Sequence, residues 1–146
     1  MPMRTKKKAN HQPRRDKLRV NIYGTADLKL KKAVYQQFNF LVPLLKERLP
    51  GGQINIVFTN NTHITELNRR YLRRNRPTDV LSFSIPTPFP VPEKKRLLGE
   101  IYISREQARR QAKNAGIRLK DELLQLVRHG LLHLAGFSHQ EMNRLP

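Results

Sequence analysis

The sequence contains no cysteine, few acidic residues and no long apolar run. Without cysteine, neither a disulfide nor a thiolate zinc site can form, so histidine or carboxylate groups would have to hold any metal. No apolar run approaches the ~18 residues of a membrane span, and the basic N-terminus is not followed by the apolar stretch of a secretory signal. We therefore expect a cytoplasmic protein, organellar if eukaryotic, with no membrane partner.

The charge balance is strongly basic. Lysine and arginine number 29 against 11 acidic residues, which gives a net charge of +18 over 146 residues. This excess predicts a polyanionic partner such as RNA. Residues 1–19 hold eight basic side chains against Asp16, and we interpret them as a basic flexible tail, either solvated or in contact with nucleic acid. Residues 20–146 are the size of a single domain.

The apolar periodicity predicts alternating strands and helices. Strands are expected near residues 18–24, 53–59, 79–85 and 97–104, and helices near residues 28–49, 106–115 and 119–135. A further short helix is expected to begin at Asn61 or Thr62 and to be stopped by Pro77. Because the alternation is not a regular βαβ repeat, the predicted fold is α+β, a small mixed four-stranded sheet packed with helices.

Three histidines are spaced H-x3-H-x5-H along the last predicted helix and beyond it. His129 and His133 differ by about 40° around a helix, so both rings can reach one point. Gly136 can turn the chain so that His139 returns to that point from a loop. Three neutral imidazoles around one Zn²⁺ leave a position for water, as in catalytic zinc sites, and such water titrates near pH ~7. The alternative interpretation is that His129 and His133 are merely polar residues on a half-exposed helix.

Gly130 follows the first of these histidines. In H-E-x-x-H peptidases that position carries the glutamate base, so its absence disfavours a peptidase. A glycine there also allows a neighbouring backbone to approach the helix closely. The two remaining histidines, His11 and His63, are isolated and are predicted to be surface residues.

Three blocks of sequence resemble the YbeY family, bacterial and organellar zinc-dependent endoribonucleases linked to ribosomal RNA maturation. Residues 129–139 are similar to its signature H-G-x-L-H-L-x-G-[YF]-D-H. Residues 67–83 resemble L-N-x-x-Y-R-x-x-x-x-P-T-D-V-L-S-F-P, and residues 98–104 resemble L-G-D-I-x-I-S. The resemblance implies a zincin-like three-histidine metal site of His129, His133 and His139, one Zn²⁺ per chain, and hydrolysis of single-stranded RNA.

Four positions depart from the family pattern. Leu72 stands where the family has an arginine thought to serve at the active site, and Ser84 replaces a proline. Glu100 and Ser138 each replace an aspartate. Arg73 and Arg74 are therefore possible phosphate contacts in place of the missing arginine.

Five arginines cluster without an intervening acid: Arg69, Arg70, Arg73, Arg74 and Arg76. We interpret them as RNA contacts that lead to the metal, since the arginine fork donates paired hydrogen bonds to phosphate. A solvated basic face is the alternative. Asp79 and Glu100 are candidate second-shell partners of the metal-bound imidazoles. Asp79 is equally suited to anchor the start of a strand.

Aromatic side chains near these motifs are candidates for base stacking. Tyr71 and Phe83 could stack on bases or belong to the core, and Phe137 could stack or cover the zinc.

The resulting prediction is a metal-dependent endoribonuclease whose partner is RNA, namely ribosomal RNA or the small ribosomal subunit, and which acts in maturation or quality control. No general base is assigned beyond a metal-bound water, and the nucleophile stays open between water and the 2′-hydroxyl. One alternative is a non-catalytic RNA- or ribosome-binding protein with a structural zinc site, and another is a zinc hydrolase of small molecules. The sequence leaves the oligomeric state open.

Overall fold

A computed structural model of the chain describes residues 17–86 and 91–145. Four strands and five helices follow one another in the described ranges. In chain order they are β1 (Leu18–Tyr23), α1 (Leu28–Leu45), β2 (Gly52–Thr59), α2 (Asn61–Leu72), β3 (Val80–Ser84), β4 (Leu97–Ser104), α3 (Arg105–Ala115), α4 (Leu119–Leu134) and α5 (His139–Asn143). Residues 1–16 of the predicted tail lie outside the described ranges, whereas its last two residues, Leu18 and Arg19, belong to β1.

The four strands form one mixed sheet in the order β1-β2-β4-β3. β1, β2 and β4 are parallel, and β3 pairs antiparallel with β4 at the edge. The predicted α+β class with a mixed four-stranded sheet is confirmed. Alternate residues of β2 and β4 point into a core shared with α1 and α4, and the fully buried ones include Ile54, Ile56, Ile101 and Ile103.

The opposite face of the sheet is polar over its parallel strands. The Asn21 amide donates hydrogen bonds to Gln53 and Asn55, and the Asn55 amide donates to Glu100. The Tyr102 hydroxyl also donates to Glu100, at 3.3 Å. α2 packs beside β4 at one end of this row, where the ring centres of His63 and Tyr102 are 5.6 Å apart.

Two helices end earlier than their sequence predicts. α1 stops at Leu45, and residues 46–48 form a turn. α2 stops at Leu72, five residues before the predicted terminator Pro77. The cause is Arg73, which adopts φ 55° in the left-handed region and thereby ends the helix.

His139 begins a helix, although the sequence analysis places it in a loop. Ser138 is the N-cap of α5, where its hydroxyl accepts from the Glu141 N–H and the Glu141 carboxylate accepts from the Ser138 N–H. This reciprocal pair is a capping box. Among the described residues, no helix has the length and apolar character required to cross a bilayer.

Candidate functional site

The three clustered histidines meet at the C-terminal end of α4. The buried face of α4, including Leu123, Val127 and Leu131, packs on the core, so His129 and His133 lie on the side away from it. Their ring centres are 6.3 Å apart with the planes inclined by 9°. The ring of His139 lies 5.3 Å from that of His129. The ring of His129 therefore lies beside both of the other two rings.

The donor set suits a zinc ion in kind. Two imidazoles on one tetrahedral zinc have ring centres about 5 Å apart, since each nitrogen lies ~2 Å from the ion. The separation of the His129 and His139 rings is close to this value, whereas that of the His129 and His133 rings is larger. Within residues 17–86 and 91–145, no three histidine, aspartate or glutamate side chains are arranged to hold an ion as they stand. The structure thus shows an imidazole cluster rather than a completed ligand set.

The surroundings of His129 favour its neutral form. Burial lowers the pKa of His129, and the neighbouring His139 and His133 lower it further, against an opposing effect of Asp79. A neutral imidazole has the free lone pair that a metal ion requires.

The turn that carries His139 is fixed from a distant part of the chain. Gly136 adopts φ +82°, and Phe137 behind it is only 6% exposed. The Arg48 guanidinium lies 3.8 Å from the centre of the Phe137 ring and donates to the Gly136 carbonyl at 3.1 Å. Arg48 also forms an ion pair with Glu141. Arg48 was missed by the sequence analysis, because no local pattern joins it to the histidines.

A cleft of about 480 Å³ opens beside the histidines. Its lining includes His133 and His139 together with Asn68, Arg74 and Arg76. Two of the five predicted arginines are thus brought to the cluster. Leu72, at the position of the family arginine, also lines this cleft.

The three other predicted arginines do not line the cleft. Arg69 and Arg70 are exposed on α2, and Arg70 lies 3.6 Å from Glu66. Arg73 contributes the left-handed residue that ends the helix. Its main role here is therefore to redirect the chain toward Arg74 and Arg76.

Asn68 anchors this segment and was also missed. Its side chain is buried, with the residue only 2% exposed, and its amide donates to the Arg76 carbonyl at 2.8 Å. The backbone carbonyl of Asn68 accepts hydrogen bonds from the backbone N–H groups of Arg73 and Arg74. The only local signal was a polar residue on the apolar face of a helix.

The two predicted carboxylates lie in different places. Asp79 accepts from the Val80 N–H at 2.8 Å and from the Gln111 amide at 3.2 Å, and its charge acts on His129. Glu100 lies on the opposite face of the sheet with Asn55 and Tyr102. Neither carboxylate makes a hydrogen bond to a histidine within the described ranges.

A carboxyl group outside the predictions lies near Asp79. Burial raises the pKa of Glu122 on α4, and the negative charge of Asp79 raises it further. The Glu122 side chain is therefore more readily protonated than an exposed glutamate.

Comparison with known proteins places this fold and cluster in one family. A family profile described as "Endoribonuclease YbeY" matches residues 19–145. The chain belongs to the YbeY family. Endoribonuclease YbeY of Sulfurihydrogenibium sp. (strain YO3AOP1) is 42% identical over 63% of this chain and 59% of its own length. Endoribonuclease YbeY of Dehalococcoides mccartyi (strain CBDB1) is 39% identical over 76% of each chain.

The solution structure of TM1509 from Thermotoga maritima shares the fold. It has a TM-score of 0.52 and 27% identity, and the match covers 84% of this chain and 74% of that one. For five of the curated YbeY relatives, the match covers 57% to 66% of the relative's length, which is less than two thirds.

One departure from the YbeY pattern has a simple structural account. Ser138 replaces the signature aspartate, and it caps α5 through its hydroxyl. Serine and aspartate are both strongly preferred N-cap residues. The substitution therefore preserves the start of the helix that carries His139.

The aromatic residues divide differently from the sequence expectations. Tyr71 is 59% exposed, so its assignment to the core is wrong. Phe83 is half-buried and lies 5.2 Å from Tyr71 between ring centres. Phe137 is buried beneath Arg48, so its assignment as a stacking platform is also wrong. His63 is exposed, as expected, and His11 lies outside the described residues.

Proposed function

We propose that this protein is a metal-dependent endoribonuclease that hydrolyses phosphodiester bonds in single-stranded RNA. The observation that supports it most is the cleft that His133 and His139 line together with Arg74 and Arg76. Guanidinium groups bind phosphate through paired, charge-assisted hydrogen bonds, and imidazoles are common ligands of catalytic metals. Membership of the YbeY family, whose curated relatives are named endoribonucleases, supports the same activity.

The proposed ligands of a single Zn²⁺ are His129, His133 and His139. Bound there, the ion would supply a Lewis acid for a phosphoryl oxygen. The chain's own contribution is to favour the neutral form of His129 through partial burial and the proximity of the other two rings. Arg48 contributes by fixing the turn that carries His139.

In the proposed complex, Arg74 and Arg76 hold the phosphate on the side of the cleft opposite the histidines. They take the place of the arginine that the family has at the position of Leu72. Because Asn68 fixes the backbone at both residues, the two guanidinium groups start from an ordered segment. Such preorganisation lowers the entropy lost when a phosphate binds.

The proposed biological setting is ribosomal RNA maturation or quality control, with ribosomal RNA or the small subunit as partner, in the cytoplasm. This proposal rests on the family together with the net charge of +18. Endonucleolytic cleavage of a ribosomal RNA precursor by the purified protein would support it. Equal cleavage of an unrelated single-stranded RNA would limit the proposal to general ribonuclease activity.

Two measurements on the purified full chain test the enzymatic proposal. Elemental analysis without chelators is expected to find about one zinc per chain, and the His133→Ala variant is expected to lose it. Cleavage of single-stranded RNA should fall by roughly 100-fold or more in the same variant. Arg109→Ala, which removes an exposed arginine of α3, is the control and should leave both unchanged.

The two readouts separate the competing functions. Equal cleavage by the wild type and by His133→Ala would refute metal-dependent catalysis and indicate a contaminating nuclease. Stoichiometric zinc with tight RNA binding and no cleavage would instead identify a binding protein with a structural zinc site.

A further inference from the structure

A second cleft is lined by a different face of α2 from the one that lines the histidine cleft. It has a volume of about 340 Å³ and is lined by Leu67, Tyr71, Phe83, Ser84, Ile85, Pro86, Glu100 and Tyr102. This volume is in the range of small-molecule sites, about 300–1,000 Å³. We call it the aromatic cleft. None of the residues that line it also lines the histidine cleft.

The walls of the aromatic cleft are rings on the open face of the sheet. Tyr71 and Phe83 have ring centres 5.2 Å apart, and Phe83 and Tyr102 are 6.0 Å apart. Tyr71 is 59% exposed, so one side of its ring lacks a packing partner among the described residues. Exposed rings of this kind are the platforms on which single-stranded binders stack bases.

A single carboxylate gives the aromatic cleft its polar character. Glu100 accepts a hydrogen bond from Asn55 on one oxygen and from the Tyr102 hydroxyl on the other. Because each carboxylate oxygen has two lone pairs, each retains one acceptor site. The two hydrogen bonds fix the orientation of the Glu100 carboxylate. The negative charge of this carboxylate would repel a phosphate.

The surroundings of the cleft favour binding of the RNA sugar-phosphate backbone just outside it. Arg69 and Arg70 are exposed on the same helix as Tyr71. The histidine cleft begins at Asn68 and Leu72, the residues next to Leu67 and Tyr71 on that helix. The two clefts are therefore lined by adjacent faces of α2, about 100° apart around its axis.

We propose that the aromatic cleft binds one nucleobase of the RNA and that Glu100 makes it selective for guanine. The proposal rests on the proposed function, since the RNA is the strand placed at the histidines. Guanine carries two adjacent donors, N1–H and N2–H, which match the two remaining acceptor sites of the carboxylate. Uracil presents one donor between two acceptors on the same edge, and the carboxylate would repel those acceptors.

The test is equilibrium binding of short fluorescent RNAs to the full chain in EDTA, which prevents metal-dependent cleavage. An oligouridylate with one central guanine should bind the wild type about tenfold more tightly than oligouridylate alone, because guanine offers the carboxylate one more donor than uracil does. Glu100→Gln should reduce this preference to about twofold or less, since an amide presents only one acceptor atom.

Tyr71→Ala should weaken binding of the guanine-containing RNA by about fivefold or more, whereas Tyr71→Phe should retain it, because stacking needs only the ring. Tyr35→Ala, which removes an exposed tyrosine from α1, is the matched control and should bind as the wild type does. Circular dichroism and thermal melts establish that each variant is folded.

Several outcomes would overturn the proposal. One is equal affinity of the wild type for both RNAs, and another is normal guanine preference in Glu100→Gln. If Tyr71→Ala and Glu100→Gln bind RNA normally but no longer bind a basic peptide that the wild type binds, the cleft is a protein-docking site. Wild-type protein that cleaves RNA without guanine preference refutes only the base subsite. Guanine-selective binding without cleavage refutes only the proposed enzymatic function.

Discussion

Gly130 lies between the two histidines of α4, where this helix meets the sheet. A Cβ at Gly130 would lie 2.6 Å from the Cγ2 of Ile101, which is fully buried, so the helix or the strand would have to move. The sequence analysis attributed this glycine to close approach of a backbone, and the observed neighbour is instead the side chain of Ile101. The Ser82 hydroxyl also donates to the Gly130 carbonyl at 3.3 Å, which ties β3 to this point.

We predict that Gly130→Ala lowers the free energy of unfolding by about 1–2 kcal/mol. Overpacking a core costs about 1–3 kcal/mol, and the better helix propensity of alanine offsets up to about 1 kcal/mol. Urea denaturation measures the difference. Gln125→Ala, at an exposed position of the same helix, should be neutral or slightly stabilising. A Gly130→Ala variant as stable as the wild type would contradict the predicted clash.

A second prediction at this scale concerns acid stability. The hydrogen bond from Arg48 and the backbone N–H of Ser138 lower the pKa of Glu141 to about 2. A carboxylate whose pKa is depressed in the folded state stabilises that state above its unfolded pKa of about 4.5, and the stabilisation is lost as the pH falls toward 2. The melting temperature of the wild type should therefore fall between these pH values.

The contribution of the pair is isolated by comparison with Arg48→Ala. This variant should have a lower melting temperature at neutral pH and a smaller decrease on acidification, because its Glu141 has lost the main cause of the low pKa. Arg118→Ala, which removes a more exposed arginine next to Asp121, should retain the acid sensitivity of the wild type. Identical pH profiles for wild type and Arg48→Ala would contradict the prediction.

At the scale of elements, the end of α2 determines which arginines reach the histidine cleft. The sequence analysis placed this end at Pro77, because proline is a strong local stop signal. The structure places it at Leu72. There the backbone carbonyl of Asn68 accepts hydrogen bonds from two backbone N–H groups, and the Asn68 side-chain amide donates to the Arg76 carbonyl. The early stop releases Arg74 and Arg76 from the helix, and both then line the cleft with the histidines.

We predict that Asn68→Ala impairs RNA cleavage mainly through substrate binding. Loss of the buried amide leaves the Arg76 carbonyl without its donor and should cost about 1–3 kcal/mol of stability. The loosened segment should raise KM for single-stranded RNA several-fold while kcat changes less, because Asn68 positions the arginines and does not contact the reacting bond. Steady-state kinetics provide this separation.

Asn75→Ala serves as the control, since Asn75 is exposed in the same segment. It should leave KM and stability close to the wild type. An Asn68→Ala variant in which kcat collapses while KM is unchanged would show that Asn68 acts on the chemical step and not through the arginines.

Across the whole molecule, local signals predicted the four strands and every α-helix except α5, and contacts distant in sequence could not be predicted. Periodicity identified all four strands and placed His129 and His133 on one helix, because it depends on neighbours within a few residues. By contrast, nothing near Arg48 indicates its contacts with Gly136 and Phe137. The arginine cluster was visible in sequence, but the backbone conformation of Arg73 decided which members face the histidines.

The net charge of +18 leads to a prediction about how the whole molecule binds RNA. For a single strand, the slope of log affinity against log salt is about −0.7 per phosphate neutralised. Contacts from Arg69, Arg70, Arg74 and Arg76 would therefore give a slope near −3, and the double variant Arg74→Ala/Arg76→Ala should reduce its magnitude by about 1.4. Fluorescence anisotropy over a salt series measures these slopes.

The matched control removes the same amount of charge elsewhere. Lys29→Ala/Lys32→Ala deletes two exposed lysines of α1, so both double variants have the same net charge. If specific phosphate contacts dominate, only the arginine variant changes the slope. If both variants change it equally, RNA responds to the total charge of the protein and the cleft arginines have no special role in binding. A flat salt dependence of the wild type would argue against a polyanionic substrate altogether, because counterion release accompanies every phosphate contact.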